Sequence, residues 1–450
     1  YKDVKKALLA TVKKIKGTFS FLAIFRNHPD KIVGARKDSP LVVGVGKDEF
    51  FLASDVLSFI DHTDRVIFLD NLEAVMTKKG SLEILNFEGK KVHKRLTQVA
   101  WEASDVSKKE FAHYTLKEIH EQSSTIKSAL YQEPIRLREF CKFIKEAKKL
   151  FIVAAGSSFH TGLLAKYLFS KVSKVYCETV LASEFDQIVD WVNEDTVILA
   201  ISQSGETADV LQAIGEAKKK GAKILSIVNV MNSTLDRESD LTLRLNCGPE
   251  IGVAATKSFT AQLALIYLLT FSMVDGTEGV GRFRELDAAI EYILKVEGEV
   301  TKIAEKYKDS NDFYFIGRST HYPVALEGAL KLKELSYIHA EGMAAGELKH
   351  GTLALIDHRT PVVVLNPHDS TYHETLGNAL EMRARGAKII AVSNANNEVY
   401  DDLILLPKVD DLFYPIVEVI PLQMLAYHIA TGRGADVDRP RNLAKSVTVR

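Results

Sequence analysis

Three hydroxyls and a glycine lie close together in Ser202-Gln203-Ser204-Gly205-Glu206-Thr207. The apolar run Val197-Ile198-Leu199-Ala200-Ile201 before them predicts a strand buried on both faces. After them Val210, Leu211, Ile214 and Ala217 recur at helical spacing. A loop entering a helix offers free amides and the positive end of the helix dipole, which favour an anion. Ser202, Ser204 and Thr207 each carry an O–H that donates well to a phosphate oxygen. One such hydroxyl is enough to cap a helix, so ordinary N-capping is the competing reading.

The turn Ala155-Gly156-Ser157-Ser158-Phe159-His160 also follows an apolar run. It lacks the second and third glycines of a dinucleotide-binding turn, and Glu178 alone is a poor argument for a ribose contact. Ser158 is better read as a further hydroxyl converging on the pocket of Ser202 and Ser204. The helix expected over 324–337 carries Glu327, Lys331 and Glu334 at i, i+4 and i+7, on one stripe. Spacing alone favours a solvated face with a Glu–Lys pair worth roughly a few tenths of a kcal/mol. The functional alternative is a carboxylate base beside an ammonium, suited to proton transfer next to a sugar carbonyl.

His350 ends a stretch of small residues, 340–351, that allows close approach of a ligand or a second subunit. It is either a general acid or base near neutral pH or a plain surface histidine. Lys445 lies near the chain end, where a frayed tail is the simple expectation. Leu443, Val447 and Val449 are apolar enough to dock that tail into a cleft, and a desolvated lysine there is a candidate imine former.

The elements that must position these groups are set by length and periodicity. A chain of 450 residues predicts about three domains. Hydrophobic residues make up 46%, charged residues 26%, and the net charge is −1, the balance of a globular enzyme with no electrostatic case for nucleic acid or an anionic membrane. Cys141, Cys177 and Cys247 are far apart and in no metal-binding spacing, so reduced thiols and a cytoplasmic location are expected. No uninterrupted apolar run reaches ~18 residues and no signal peptide is visible. Tyr1 and Lys2 read as the middle of a longer chain.

A helix is expected over 4–16, then strands over 18–25, 31–35, 41–45, 50–53, 66–68 and 82–86, an antiparallel layered piece. From 97 to 132 the composition turns charged and helical. A duplication follows. Phe151-Ile152-Val153-Ala154-Ala155-Gly156-Ser157-Ser158 is echoed by Phe313-Tyr314-Phe315-Ile316-Gly317-Arg318-Ser319-Thr320. Gly221-Ala222-Lys223-Ile224 returns as Gly386-Ala387-Lys388-Ile389, and Gln262 has its counterpart in Gln423. The offsets are 161 or 162, 165 and 161 residues, which implies two copies of one α/β fold, each a parallel sheet with helices on both faces. In the second copy Asn366-Pro367-His368 replaces Ser202-Gln203-Ser204, and the proline removes a donor, so anion binding is expected only in the first. The expected divisions are 1–95, 96–137, 138–277, 278–302, 303–440 and 441–450.

Several blocks together resemble the glucosamine-6-phosphate synthase family, the glutamine–fructose-6-phosphate aminotransferases (isomerizing). They are Ser202 to Thr207, Glu250-Ile251-Gly252-Val253-Ala254, Glu327-Gly328-Ala329-Leu330-Lys331-Leu332-Lys333-Glu334, Gly346-Glu347-Leu348-Lys349-His350-Gly351 and the run from Asp438 to Val449. The resemblance implies two doubly wound sugar isomerase (SIS) domains, three-layer αβα, preceded by the C-terminal half of an Ntn-hydrolase α/β/β/α glutaminase domain. A complete member begins with a catalytic cysteine followed by RWATHG and NHNG motifs, none of which occurs in these 450 residues.

The resemblance implies that Ser158, Ser202, Gln203, Ser204 and Thr207 hold the phosphate of fructose 6-phosphate. Lys445 would form an imine with C2 and Glu334 would move the proton between C1 and C2. Lys331 would help shuttle a proton, and His350 of a neighbouring subunit would assist ring opening. Val253 and Ala444 would give backbone contacts. It implies a homodimer, no cofactor, glucosamine 6-phosphate as product and glutamine as nitrogen donor of the full-length protein. Ala155, Ser157 and Ala255 stand where many members have Cys, Thr and Ser. A SIS-domain ketosamine-phosphate deglycase or isomerase and a non-catalytic sugar-phosphate sensor are the alternatives. The first would lack the glutaminase piece, the second Glu334 and Lys445.

Overall fold

The computed structural model describes residues 3–99 and 107–448, without the side chains of 277–280. Tyr1, Lys2 and Val449, and 100–106 of the expected charged connector, lie outside the described residues.

Asp3 caps the first helix, Val4–Val12, accepting from the amides of Lys5 and Lys6 at 2.8 and 3.3 Å. Val4, Leu8 and Val12 pack that helix against Val33, Ala35 and Ala74. Beneath it lie strands β1 (Phe19–Phe25), β2 (His28–Lys37), β3 (Val42–Val45), β4 (Phe50–Ala53), β5 (Arg65–Phe68), β6 (Glu73–Lys78), β7 (Ser81–Asn86) and β8 (Thr97–Gln98). They form two antiparallel sheets, β1-β2-β6-β7 and β4-β3-β5-β8, consistent with part of a glutaminase domain. Strand β6 escapes a sequence reading because buried Glu73 and Thr77 break its apolar pattern; Glu73 sits 2.9 Å from Lys94. Pro29, which looks like a turn signal, stands at the start of β2 beside a register irregularity, where a missing donor costs little.

The two copies have the same topology. Strands β9 (Lys149–Ala154), β10 (Glu178–Leu181), β11 (Thr196–Ser202), β12 (Lys223–Val228) and β13 (Leu241–Arg244) form a fully parallel sheet in the order β10-β9-β11-β12-β13. Strands β14 (Asp312–Gly317), β15 (His339–Ala344), β16 (Pro361–Leu365), β17 (Lys388–Ser393) and β18 (Asp402–Leu405) repeat it as β15-β14-β16-β17-β18. Parallel strands covered on both faces read as continuous apolar runs, and every residue of β11 is buried.

Helices Lys257–Asp275 and Tyr414–Gly432 carry Gln262 and Gln423 through the shared core. Together with the short turn before the second, they are long and apolar enough to cross a membrane by length and composition, yet 83% and 89% of their apolar windows are buried within the protein. Thr, Gln and Tyr interrupt both, with Ser in the first and Glu and His in the second, which is why no unbroken apolar run is seen in the sequence. Such helices are apolar all round because they pack on all sides.

Candidate active site

In a sheet of this order the chain leaves β9 toward one edge and β11 toward the other, which opens a crevice at their carboxyl ends. Two loops border it, Gly156-Ser157-Ser158 after β9 and Ser202 to Thr207 after β11. Gly205 has φ +66°, and a Cβ on it would lie 2.0 Å from Ser233 Oγ, so glycine is needed on both counts. The hydroxyls do not simply cap the helix Ala208–Lys219. Thr207, its cap residue, makes no side-chain cap bond and pairs instead with Ser202 Oγ at 2.9 Å. The Gly205 amide donates to Ser202 Oγ at 3.1 Å and the Glu206 amide to Ser204 Oγ at 3.2 Å. Ser202 and Ser204 are buried, Gln203 and Thr207 half-buried. Across the crevice Ser158 accepts from Gln262 Nε2 at 3.0 Å.

The stripe Glu327, Lys331, Glu334 is not a solvated face. Glu327 and Lys331 are fully buried, because their helix, His321–Ser336, packs on helix Ser157–Leu168 of the first copy. Lys331 Nζ lies 2.5 Å from Glu334 Oε2 and 3.4 Å from Glu327 Oε1, and donates to Ser157 Oγ at 3.2 Å. Glu327 accepts from Ser157 Oγ at 2.9 Å and pairs with His160 Nδ1 at 2.8 Å. Burial pulls the Lys331 pKa down, but the charges of Glu327 and Glu334 outweigh it and hold the ammonium well above its ordinary range. Burial pushes Glu327 up, and Lys331 and His160 bring it below the usual carboxylate value. Glu334 is the partly open member, bordering a cavity of about 300 Å³ with Tyr337, Arg441 and Leu443.

The tail beyond helix Tyr414–Gly432 has no regular structure; Val437 anchors its start in the shared core, whereas from Arg441 onward it is held by polar contacts, since Leu443 and Val447 are both exposed. Arg441 N donates to Tyr337 Oη at 2.9 Å, Ala208 N to Val447 O at 3.0 Å and Ser39 Oγ to Thr448 O at 3.2 Å. Lys445 Nζ meets Glu250 Oε2 at 2.5 Å and Gly252 O at 2.8 Å. Ser204, Glu250, Val253, Ala444 and Lys445 line one cavity of about 790 Å³, closed on its far side by Asp55 and its neighbours from the antiparallel region.

Ser204, Val253, Ala444 and Lys445 therefore share one cavity, Lys331 reaches the first loop through Ser157, and Glu334 opens on the smaller cavity beside the tail. His350 joins neither cavity. It is exposed at the end of a short 3-10 turn, Ala345–His350, with no contact to Glu334 or Lys445 among the described residues. Ser157, His160, Glu118 and Glu250 were not assigned roles from the sequence. Burial of a charged group was the missing signal, and no periodicity marks it. The three cysteines are buried; burial pushes Cys141 and Cys177 up to about 12 and Cys247 higher still, which disfavours thiolate chemistry at any of them. In the second copy the loop after β16 carries Asp369, whose Oδ1 accepts from Thr371 N and Oγ1 at 2.7 and 2.8 Å.

Two parallel sheets of the order β10-β9-β11-β12-β13, the first bearing a hydroxyl-rich loop and the two meeting at a buried lysine–carboxylate cluster, define a tandem SIS-domain protein, and the SIS domain matches the sequence over residues 143–272 and 306–432. Glutamine–fructose-6-phosphate aminotransferases (isomerizing) from Methanothermobacter thermautotrophicus and Thermococcus kodakarensis are 44% and 43% identical to it over 99% of its length, which spans 76% of theirs. The chain belongs to the glutamine–fructose-6-phosphate aminotransferase (isomerizing) family. Among solved structures, the C-terminal domain of glucosamine-fructose-6-phosphate aminotransferase from Francisella tularensis superposes with a TM-score of 0.70 at 37% identity, covering 74% of this chain and all of that one. A glucosamine-6-phosphate deaminase from Thermotoga maritima gives 0.61 at 26% identity, covering 74% of this chain and 99% of its own.

Proposed function

We propose that this chain binds fructose 6-phosphate and converts it to glucosamine 6-phosphate, using ammonia derived from glutamine in the full-length protein. The phosphate rests on Ser202, Gln203, Ser204 and Thr207, with Ser158 across the crevice. Lys445 forms an imine with C2, and Glu334 transfers the proton between C1 and C2. Lys331, ionised between its carboxylates, stabilises the negative charge that builds on the sugar. Val253 and Ala444 contribute main-chain contacts, and His350, supplied by a second subunit of a homodimer, assists ring opening.

The observation that carries this reading is the placement of Lys445. A residue five positions from the chain end shares one cavity with Ser204 of the anion-binding loop. The isomerase half needs no glutamine, so residues 1–450 incubated with fructose 6-phosphate are expected to yield glucose 6-phosphate in a coupled assay. Glu334→Gln is expected to lower that rate by roughly 100-fold or more, the range of a lost general base. A folded chain without turnover, or an unimpaired Gln variant, would overturn the reading.

A further inference from the structure

Lys445 enters the site as an ammonium with two acceptors, a peptide carbonyl and a carboxylate. An ammonium has no lone pair and cannot attack a carbonyl carbon. Its proton has to go to an acceptor already in contact, and the Gly252 carbonyl is far too weak a base. Glu250 remains. Its side chain is fully buried, at the start of helix Lys257–Asp275. Oε1 accepts from the amides of Thr256 and Ser258 at 2.9 and 3.0 Å, and Oε2 from Ser258 Oγ at 2.7 Å. These bonds fix the carboxylate and leave one direction of Oε2 for Lys445.

We propose that Glu250 is a catalytic residue that takes the proton from Lys445 and returns it to the departing hydroxyl when the imine forms. This rests on the imine-forming role of Lys445 argued above. In the first half-step the proton moves from Nζ to Oε2, leaving a neutral amine and a carboxylic acid. The amine lone pair then bonds to C2 while the carbonyl π pair moves to oxygen, and one amine proton passes to that oxygen, giving a carbinolamine. In the second half-step Glu250 gives its proton to the hydroxyl. The C–O bond breaks, water leaves, and the nitrogen lone pair forms the protonated imine. Glu250 is again an anion, now facing a cation. Lysine ammonium and ketone have become iminium and water, with charge and protons balanced.

The surroundings suit this cycle. Burial pushes Glu250 up, and the Lys445 ammonium with the backbone donors pulls it well below the usual carboxylate range. Loss of that positive charge lets burial reassert itself, so the carboxylate becomes a better base as the lysine becomes a nucleophile. Glu118, pushed up to about 8 by burial and by the Glu250 charge, accepts from the amides of Ile251 and Gly252 and is largely protonated near neutral pH, which leaves Glu250 as the anion that faces Lys445. Lys257 and Lys331 face the cluster from their helices and Asp55 from the antiparallel region.

The test is borohydride trapping of fructose 6-phosphate on Lys445, with binding of the sugar phosphate measured by calorimetry on the same preparations. Glu250→Gln keeps an acceptor oxygen for the two amides and removes the proton relay. Expected are sugar binding within a few-fold of the parent and a trapping rate lower by roughly 100-fold or more. A parent-like trapping rate in a variant that binds the sugar would overturn the role of Glu250. Absence of an adduct at Lys445 in the parent protein would instead overturn the imine reading itself. Should Glu250→Gln fail to bind sugar, Glu250→Asp carries the test. Its carboxyl is retained but withdrawn by one carbon, so trapping is expected to be slower than in the parent and faster than in Glu250→Gln. A parent-like rate, or one no faster than that of the Gln variant, would overturn the proposal.

Discussion

The carbonyl of Val447 accepts from the amide of Ala208 at 3.0 Å, which ties the last strap of the chain to the first turn of the helix behind the hydroxyl-rich loop. The strap therefore carries Lys445 between two fixed points, Ala208 on one side and Tyr337, which binds Arg441 N, on the other.

Ending the chain after Lys445 removes the Ala208 tie and keeps the lysine. The Ser39–Thr448 bond is lost with it; each exchanged hydrogen bond is worth about 0.5–1.5 kcal/mol, so the loss of both leaves most of the global stability in place. Placement of Nζ should suffer more. Borohydride trapping of fructose 6-phosphate is expected to fall about tenfold, with thermal unfolding close to that of the parent.

The loop itself is tested separately. Ser202 and Thr207 bond each other, and Ser204 holds the Glu206 amide, so the hydroxyls are arranged before any ligand arrives. Replacing both Ser204 and Thr207 with Ala is expected to weaken sugar-phosphate binding by about 1–3 kcal/mol, the scale of lost charge-assisted hydrogen bonds. Calorimetry with fructose 6-phosphate reads this directly.

How much of this was legible beforehand varies with the physics of each element. The duplication and both parallel sheets follow from apolar runs broken by Gly and Ser, because strands buried on both faces leave no other pattern. Strand β6 was hidden by inward-facing Glu73 and Thr77, whose partners come from distant sequence. The stripe Glu327–Lys331–Glu334 was read by spacing as solvated. Its burial depends on a helix more than 150 residues earlier, and no local rule reports that. The tail was expected to dock by apolar residues. From Arg441 onward it docks through hydrogen bonds of its main chain and one ion pair, which leave no mark in composition.

His350 is exposed and away from the crevice of its own chain. A role in ring opening therefore requires a second subunit, as in a closed dimer where each copy completes the other's site. Inactive Glu334→Gln and inactive His350→Ala chains, mixed under conditions of subunit exchange, should regain activity, because one hybrid site keeps both groups. Exchange proven by mass spectrometry with no regained isomerase activity would place ring opening elsewhere.

The second copy supplies its own ionic filling where the first has a crevice. His321, fully buried, pairs with Glu418 Oε2 at 2.8 Å and with Asp369 Oδ2 at 3.0 Å. Burial pulls His321 down, but Glu418 and Asp369 outweigh it and raise it to about 10. A base whose folded pKa is raised stabilises fully below its unfolded pKa of about 6.5, and the contribution fades as pH climbs to the folded value. Replacing His321 with Asn strands buried charge and is expected to cost about 3–5 kcal/mol near neutral pH. In the parent protein the same interaction weakens between about pH 6.5 and about 10. The gap between parent and variant denaturation midpoints should therefore be widest at pH 6, narrower at pH 8, and smallest at pH 10. A gap that stays constant across that range would mean that His321 is not charged in the fold.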